Sequence, residues 1–282
     1  MIDPQGDLRG RVALVTGANT GIGRVAAREL ARRGADVFLA CRSIERAQDA
    51  LDEIRALPGA GRAEALPLDL GDFSSIRHCA AAFLAHNRPL HILVNNAGLA
   101  GRGGMTASGF ELTFGVNHVG HFLLTQLLLD RLRASAPARV VTVASRAHVR
   151  VSGIDWEAVR RPTSGVTGLP EYGVSKLANV LFSAELGRRL AGSGVTTYAL
   201  HPGVVATDVW RGVPWPFRSV MKWFMVSSEA GAATTLYCAA APDVAHETGL
   251  YYSDSRVTTP SAAARDVALA ADLWTRSEAW VR

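Results

Sequence analysis

The segment that most constrains the fold lies near the N-terminus, where the continuous apolar run 12–15 is followed at once by the glycine-rich sequence TGANTGIG at residues 16–23. A short apolar run of this kind is typical of a strand buried on both faces of a sheet. Glycines allow the main chain to turn tightly and to approach a phosphate, whose negative charge is stabilised by the N-terminus of the following helix. Glycines at such a turn can also be purely structural, but their position directly after a buried strand favours a phosphate-binding turn.

The same alternation of short apolar runs and longer helical stretches continues along the chain. Strands are predicted at residues 12–15, 37–41, 63–68, 92–94, 140–144 and 195–200, and helices at 22–33, 43–56, 73–86, 106–132, 172–190 and after Ser227. This alternation predicts an α/β fold, with a parallel sheet covered by helices on both faces. No linker-like stretch divides the chain, so residues 1–282 are interpreted as a single domain with an apolar insertion at about residues 210–226.

Composition and charge exclude several classes of function. The net charge of +5 comes from scattered basic residues, and no motif of a groove-reading protein is present, so nucleic acid is not an expected partner. The three cysteines, Cys41, Cys79 and Cys238, form no Cys/His cluster, which predicts a reducing compartment and no structural metal. The N-terminus has no apolar signal core, and the chain has no run of about 18 apolar residues, so we expect no transmembrane segment and a cytoplasmic protein.

The end of the second predicted strand indicates which dinucleotide the chain binds. Sheets that bind NAD usually carry an acidic residue there, which accepts hydrogen bonds from the ribose hydroxyls. This chain has Cys41 followed by Arg42, and Arg24 lies just after the glycine-rich turn. Guanidinium groups at this place suit the 2′-phosphate of NADP, so NADP(H) is the predicted cofactor. The alternative for Arg42 is a solvated residue that caps a helix.

A candidate catalytic group is formed by Tyr172 and Lys176, which lie on one face of a predicted helix because they are four residues apart. A free tyrosine has a pKa of about 10. A neighbouring ammonium group stabilises the phenolate and is expected to lower that pKa. Ser145 follows the fifth predicted strand, where its hydroxyl can bind a carbonyl oxygen or, alternatively, cap a turn. The segments 95–98 and 201–203 end the fourth and sixth strands, so all these groups are predicted to meet at one edge of the sheet.

These motifs together resemble the short-chain dehydrogenases/reductases. The resemblance covers nearly all of residues 8–280 and rests on TGANTGIG, NNAG, VNHVGHF, Ser145, YGVSK and HPG in that order. It implies a Rossmann-like, doubly wound parallel sheet of about seven strands. It also implies that Tyr172 is the general acid/base, that Ser145 holds the substrate oxygen, and that Lys176 lowers the pKa of the tyrosine and binds the nicotinamide ribose. Asn117, within a predicted helix, matches the asparagine that helps to relay protons through a water to the lysine.

The resemblance also assigns a cofactor-binding surface. It matches three pairs of residues to the adenine side, the ribose side and the nicotinamide side: Asp69 with Leu70, Asn95 with Gly98, and Val204 with Thr207. The candidate catalytic residues are Asn117, Ser145, Tyr172 and Lys176. The candidate cofactor-binding residues are Gly17, Asn19, Thr20, Gly21, Ile22, Gly23, Arg42, Asp69, Leu70, Asn95, Ala97, Gly98, Tyr172, Lys176, Pro202, Gly203, Val205 and Thr207.

Longer segments narrow the resemblance to the retinol dehydrogenase-like subgroup, which is similar also to the oxidoreductase part of WW-domain oxidoreductases. The segments are ARELARRGADVFLACR, SKLANVLFSAELGRRL and GVTTYALHPGVVATDV. The resemblance implies a preference for NADP(H) through Arg42. The chain differs from the vertebrate retinol enzymes in that we expect no N-terminal membrane anchor.

The apolar insertion at residues 210–226 bears on the substrate. Its Trp, Phe and Met residues predict an apolar lid over the nicotinamide, and the alternatives are a subunit contact in a homodimer or homotetramer, or a membrane-surface contact. A small apolar carbonyl or alcohol is the expected substrate, with reduction the expected direction. A non-catalytic NADP(H)-binding regulatory protein is disfavoured because the Ser, Tyr and Lys are all present. An enzyme that dehydrates or epimerises a sugar nucleotide is disfavoured because no separate C-terminal substrate domain is predicted.

Overall fold

The computed structural model describes residues 7–163, 167–203 and 227–282. All strands in these ranges belong to one eight-stranded sheet, in the order β3-β2-β1-β4-β5-β6-β7-β8. The first seven strands run parallel, and β8 pairs antiparallel with β7. The strands are β1 (Val12–Thr16), β2 (Asp36–Cys41), β3 (Ala63–Pro67), β4 (Ile92–Asn95), β5 (Ala138–Val143), β6 (Val195–His201), β7 (Leu250–Ser253) and β8 (Arg256–Val257).

Helices connect the strands and cover both faces of the sheet. Within the described residues they are α1 (Gly21–Arg32), α2 (Glu45–Arg55), α3 (Phe73–Ala85), α4 (Leu112–Phe114), α5 (Gly120–Ala134), α6 (Leu169–Arg189), α7 (Ser228–Ala240) and α8 (Val267–Trp280). A π-helical turn, Gly115–Val119, joins α4 to α5, and a 3-10 helix, Arg146–Arg150, follows β5.

The doubly wound arrangement follows from the alternation of side chains along each strand. In β1, Ala13 and Val15 belong to the apolar cluster formed with α1, α2 and α7. Val12 and Leu14 belong to the cluster on the other face, formed with α3, α5 and α6. All five residues of β1 are buried, which explains why the strand is apolar throughout rather than alternating with polar residues.

The strand order positions the site. Strand β1 pairs with β2 on one side and with β4 on the other. Successive strands are therefore added to one side of β1 up to β3 and to its other side from β4 onward, so the strand order reverses at this point. Connections from neighbouring strands diverge at such a reversal and leave a crevice outside the carboxyl ends of the strands.

The predicted α/β fold is confirmed, and all six predicted strands are present. The sheet has one strand more than the resemblance implied, because the two-residue β8 adds an antiparallel edge. Strands β7 and β8 and helix α8 were not predicted from the sequence. The apolar insertion at residues 210–226 lies outside the described residues.

The predicted helix at residues 106–132 is wrong at its start. Helix α4 begins only at Leu112, and the preceding residues form a turn in which Thr106 N–H donates to the carbonyl oxygen of Phe110 at 2.8 Å. Gly109 has a φ angle of +79° in this turn, a conformation that a helix does not contain. Glu111 then caps the helix by accepting a hydrogen bond from Phe114 N–H at 2.7 Å.

Candidate active site

Glycines shape the turn between β1 and α1. Gly17 and Gly21 have positive φ angles of 66° and 55°, which L side chains rarely adopt. A Cβ atom at Gly23 would lie 2.5 Å from the carbonyl oxygen of Gly17, so only glycine lets the first turn of α1 pack so closely on the preceding turn. Thr20 is the N-cap residue of α1, but its side chain caps no main-chain N–H group. The first N–H groups of the helix are therefore available to a phosphate.

This turn opens into a cleft of about 1430 Å³ at the carboxyl edge of the sheet. Its volume exceeds the roughly 300–1,000 Å³ of an ordinary small-ligand pocket, so a dinucleotide and a substrate can share it. The predicted cofactor-binding residues that line it are Gly17, Asn19, Thr20, Gly21, Ile22, Gly23, Arg42, Asp69, Leu70, Ala97, Gly98, Tyr172, Lys176, Pro202 and Gly203. Val204, Val205 and Thr207 lie outside the described residues.

Asn95 does not line the cleft, and its predicted contact with the ribose is wrong. Its side chain is fully buried at the end of β4, where its amide donates to the hydroxyl of Thr125 on α5 at 3.0 Å. Because successive side chains of a strand point to opposite faces, the next residue, Asn96, is the one that lines the cleft. Asn96 also donates from Nδ2 to the carbonyl oxygen of Thr16 at 2.8 Å, which ties the turn after β4 to the end of β1.

The end of β2 presents a basic surface to the cleft. Arg42 and Arg46 are exposed there and, within the described part of the chain, form no ion pair with a carboxylate. Ser43 lies between them and also lines the cleft. The sequence pattern indicated Arg42 but not Arg46, whose place one helical turn further on in α2 was a signal that could have found it.

Arg24 is not available to this surface, so its predicted help in binding a phosphate is wrong. Its Nε donates to Glu53 of α2 at 2.7 Å, and Arg28 pairs with the same carboxylate at 2.9 Å. The Arg24 side chain therefore joins α1 to α2 and does not line the cleft.

Ser145 follows β5 at the opposite end of the cleft. Its hydroxyl accepts a hydrogen bond from Ala147 N–H at 3.2 Å, so it does cap the 3-10 helix Arg146–Arg150, as one of the two sequence interpretations predicts. Its side chain also lies beside Tyr172, where it acts as a hydrogen-bond donor that lowers the pKa of the phenol, while its binding of a substrate oxygen stays a prediction. The two roles are compatible because a hydroxyl both accepts and donates.

Tyr172 is 7% exposed and reaches the cleft from the first turn of α6. Burial raises its pKa above the ordinary value, and the hydrogen bond from Ser145 opposes this shift only in part. The expectation that the neighbouring lysine lowers the pKa of Tyr172 is therefore not met in the protein alone. Desolvation of the phenolate outweighs the hydrogen bond from Ser145, which is the contact that lowers this pKa.

Lys176 is 3% exposed and lies one turn after Tyr172. Its Nζ donates to the carbonyl oxygen of Val143 at 2.8 Å and lies 5.6 Å from the centroid of the Tyr172 ring. Burial lowers the pKa of Lys176 to about 7, because an ammonium group loses its hydration in this position. At neutral pH the lysine is thus only about half charged.

Asn117 lies in the π-helical turn and not in a regular helix as predicted. Its Nδ2 donates to the carbonyl oxygen of Leu99 and to the hydroxyl of Ser175, both at 3.0 Å, and its Oδ1 accepts from Leu99 N–H at 2.9 Å. A Cβ atom at Gly98 would lie 3.3 Å from Oδ1 of Asn117 and 3.6 Å from Nζ of Lys176. The asparagine and the lysine therefore flank the same point of the cleft, while the relay of protons through Asn117 stays a prediction.

His201 belongs to the segment 201–203 that the sequence analysis placed at this edge of the sheet, but the motifs gave the histidine itself no role. It is 5% exposed at the end of β6, lines the cleft, and accepts a hydrogen bond from Arg146 N–H at 3.4 Å. Burial lowers its pKa to about 4, so it is neutral near pH 7. Its position as the last residue of a buried strand, beside the segment after Ser145, was the available signal.

The comparisons with known proteins agree with this geometry. The sequence profile of the short chain dehydrogenase family matches residues 11–214, and the chain belongs to that family. It is similar to retinol dehydrogenase 12 of Mus musculus, with 46% identity over 94% of this chain and 84% of the relative. It is also similar to dehydrogenase/reductase SDR family member 13 of Homo sapiens, with 44% identity over 97% of this chain and 74% of the relative. The predicted resemblance to the retinol dehydrogenase-like subgroup is confirmed.

Solved structures support the same assignment. An uncharacterised protein from Mycobacterium paratuberculosis is 35% identical and superposes with a TM-score of 0.80 over 98% of this chain and 95% of that one. A Pseudomonas aeruginosa RhlG/NADP active-site complex is 30% identical, with a TM-score of 0.69 over 88% of this chain and 96% of that one. The chain is accordingly an oxidoreductase of this family with a nicotinamide cofactor. Among the helices of the described residues, none is both long and apolar enough to cross a membrane.

Proposed function

We propose that this protein is an NADP(H)-dependent oxidoreductase that interconverts a carbonyl and an alcohol on an apolar substrate and works as a reductase. The observation that carries the proposal is the arrangement along the cleft. A hydrogen-bonded Ser145–Tyr172 pair lies at the substrate end beside the buried Lys176, and Arg42 and Arg46 lie at the other end.

The residues divide the chemistry between them. The nicotinamide, when bound, supplies a hydride to the carbonyl carbon or accepts one from the alcohol carbon. Ser145 holds the substrate oxygen by a hydrogen bond, and Tyr172 donates the proton that this oxygen needs once the hydride has arrived. Lys176 and Asn117 lie behind the tyrosine, where they can bind the ribose and return a proton.

The reductive direction is supported by the electrostatics of Tyr172. The ordinary pKa of a tyrosine is about 10 and burial raises it further, so the phenol of Tyr172 is protonated at neutral pH and can donate. Reduction of a carbonyl requires that form, whereas oxidation of an alcohol requires the phenolate.

The preference for NADP(H) is supported by the charges at the end of β2. Arg42 and Arg46 are exposed beside the cleft, and the last residue of β2 is Cys41 rather than a carboxylate. A guanidinium can donate two hydrogen bonds to one phosphate, which makes this surface suitable for a 2′-phosphate. The similar RhlG structure from Pseudomonas aeruginosa is a complex with NADP.

The apolar character of the substrate is supported by the rim of the cleft. The described residues expose six large hydrophobic side chains, and three of them line this cleft: Met105, Val149 and Leu169. Exposed apolar surface concentrated at one cleft favours binding of an apolar molecule. The named activity of the similar retinol dehydrogenases agrees with a substrate of this class.

Cytoplasmic location is part of the proposal. All three cysteines are free and buried, and a protein with unpaired cysteines is suited to a reducing compartment. Cell fractionation with an antibody to the native chain tests it, and recovery in an oxidising or secreted fraction would refute it.

The cofactor preference is tested by titrating NADPH and NADH into wild type, Arg42→Ala and Arg24→Ala. Loss of a charge-assisted phosphate contact should weaken NADPH binding by roughly 10- to 150-fold in Arg42→Ala. NADH binding should be unchanged in that variant. Arg24→Ala is the matched control, because Arg24 pairs with Glu53 away from the cleft and both affinities should stay at the wild-type value. A wild type that binds NADH more tightly than NADPH would refute the preference.

Turnover is tested with a panel of apolar aldehydes and ketones, each paired with a polar analogue of the same length, while NADPH consumption is followed. We expect kcat/KM to be higher for the apolar member of each pair. Equal or higher values for the polar members would show that the substrate class is wrong.

A further inference from the structure

His121 is a buried histidine that the mechanism above does not use. It lies in the first turn of α5, is 1% exposed and does not line the cleft. Its Nε2 lies 2.9 Å from the hydroxyl oxygen of Thr16, the last residue of β1. Its Nδ1 lies 3.0 Å from the main-chain carbonyl oxygen of Asn117 in the π-helical turn. Both ring nitrogens therefore have a partner that belongs to the site or directly supports it.

The hydrogen bonds of Thr16 determine which way its proton points. Its hydroxyl oxygen accepts from the main-chain N–H groups of Asn96 and Ala97, each at 2.9 Å. A hydroxyl has two acceptor positions and one donor, so both acceptor positions are filled. The remaining contact at 2.9 Å, to Nε2 of His121, must then be a bond that Thr16 donates, in competition with a longer one to the carbonyl oxygen of Val94 at 3.3 Å.

The contact of the other ring nitrogen, Nδ1, shows where the proton of the His121 ring lies. A carbonyl oxygen can only accept, so Nδ1 of His121 must carry the proton that it donates to Asn117. The two bonds together define one neutral tautomer, protonated on Nδ1 and accepting at Nε2. The neutral form agrees with burial, which lowers the pKa of His121 to about 4.

The result is a continuous chain of hydrogen bonds across the switch point of the sheet. It runs from the N–H groups of Asn96 and Ala97, through the hydroxyl of Thr16 and the ring of His121, to the carbonyl oxygen of Asn117. At one end of this chain, Asn96 and Ala97 belong to the turn that lines the cofactor side of the cleft. At the other end is Asn117, whose side chain flanks the same point of the cleft as Lys176.

We propose that His121 is a positioning residue that couples the cofactor-side turn, residues 96–98, to the π-helical turn that carries Asn117. The role rests on the proposed function. The ring is a rigid spacer of fixed length between two main-chain segments, so displacement of either segment strains the other. The side chain of Asn117 also bonds to the main chain of Leu99, next to the cofactor-side turn, and His121 adds a second link that acts on the main chain of Asn117.

A matched control lies three residues away. His118 is also 1% exposed, burial lowers its pKa to about 3, and its Nε2 lies 3.1 Å from the hydroxyl of Ser277 on α8. Its ring packs against the aromatic rings of Phe114, Phe122 and Phe182, none of which belongs to the cofactor-side turn. Replacing His118 or His121 with Phe thus removes an equally buried imidazole from the same part of the chain.

The test compares His121→Phe with His118→Phe in the full chain, by thermal unfolding, by titration with NADPH, and by steady-state turnover. We expect both variants to lose stability. His121→Phe should also lose about tenfold or more in kcat/KM and bind NADPH more weakly, because a misplaced site costs activity beyond the lost bond. His118→Phe should keep wild-type kcat/KM and NADPH affinity. If His121→Phe does not fold, His121→Asn, which is smaller and cannot span both partners, takes its place.

A double-mutant cycle tests the link to Thr16 directly. Thr16→Val removes the hydroxyl and keeps the side-chain shape, and Thr16→Ser restores the hydroxyl. The losses in kcat/KM from Thr16→Val and His121→Phe should be clearly less than multiplicative when combined, because each already breaks the same chain. Thr16→Ser should recover most of the activity that Thr16→Val loses.

The outcomes separate the two proposals. If the wild type neither binds a dinucleotide nor reduces a carbonyl, the proposed function fails and this role fails with it. If the wild type is active, but the two histidine variants have the same kcat/KM and NADPH affinity or the cycle is multiplicative, then His121 is a structural residue only and the inference is overturned.

Discussion

Replacement of Lys176 with Met should remove a pH dependence from the stability of the protein. Burial lowers the pKa of this lysine from its ordinary 10.5 to about 7 in the folded chain. Between these two values the unfolded chain holds a proton that the folded chain has released. Since the unfolded state binds more protons in this range, the free energy of unfolding must increase as the pH rises from about 7 toward 10.5.

The size of the effect follows from the same two values. Each pH unit that lies fully between them changes the stability by ~1.4 kcal/mol. Near pH 7 the folded lysine is still half protonated, so the first part of the range contributes less. Between pH 7 and pH 9 the expected gain in the free energy of unfolding is about 2 kcal/mol. This gain originates from the amino group of Lys176. Among its described contacts, Nζ has the carbonyl oxygen of Val143 as an acceptor but no carboxylate that would stabilise its positive charge.

The assay is urea unfolding of wild type and Lys176→Met at several pH values between about 7 and 9, without cofactor. Other groups titrate in this range too, but they are common to both proteins, so the difference between the two curves isolates the lysine. The wild type should gain about 2 kcal/mol relative to the variant. The lost hydrogen bond to Val143 adds a constant offset only. A difference that does not change with pH would refute the low pKa of Lys176 and the desolvation argument on which it depends.

Two further substitutions test the site. Tyr172→Phe should lower turnover by about 10²–10⁴-fold with NADPH affinity nearly unchanged, because only the proton donor is lost; retention of more than about a tenth of wild-type turnover would exclude Tyr172 as the acid. Gly23→Ala should weaken NADPH binding by about tenfold or more, because overpacking against the turn forces it to open. A Cβ atom there would lie 2.5 Å from the carbonyl oxygen of Gly17, whereas one at Gly153 meets nothing within 4 Å, so Gly153→Ala is the matched control. Equal NADPH affinities of the two alanine variants would contradict the steric argument.

The fold was predictable because the buried strands appear in the sequence as continuous apolar runs. Strands β1, β2 and β5 are covered on both faces, so nearly every position must be apolar and the run is visible without any knowledge of partners. Strand β8 has two residues, both exposed, and therefore leaves no such pattern. Helix α4 was misplaced because apolar periodicity continues through Phe110, while the turn before Leu112 depends on a single glycine with a positive φ angle.

The site was predictable where the chemistry depends on residue type and spacing. Tyr172 and Lys176 meet because helical geometry brings residues four apart together. Ser145 lies beside Tyr172 because β5 ends and α6 begins at the same edge of the sheet. The errors concern side-chain direction. Asn95 and Asn96 are adjacent and chemically identical, and only the pleat of β4 decides which one reaches the cleft. Arg24 has the right charge, but its partner, Glu53, lies 29 residues away on another helix.

The electrostatics of the pair could not be read from the sequence at all, because spacing indicates proximity and burial decides protonation. A lysine beside a phenol predicts an easily ionised tyrosine only if the amino group of that lysine is itself charged. In this site desolvation acts on both groups in the direction of neutrality, raising the pKa of Tyr172 and lowering that of Lys176 to about 7. The protein alone therefore holds a protonated phenol beside a half-charged lysine. Donation of a proton from Tyr172 needs no change in this state, whereas removal of a proton by Tyr172 requires the phenol to ionise first, against the cost of desolvation.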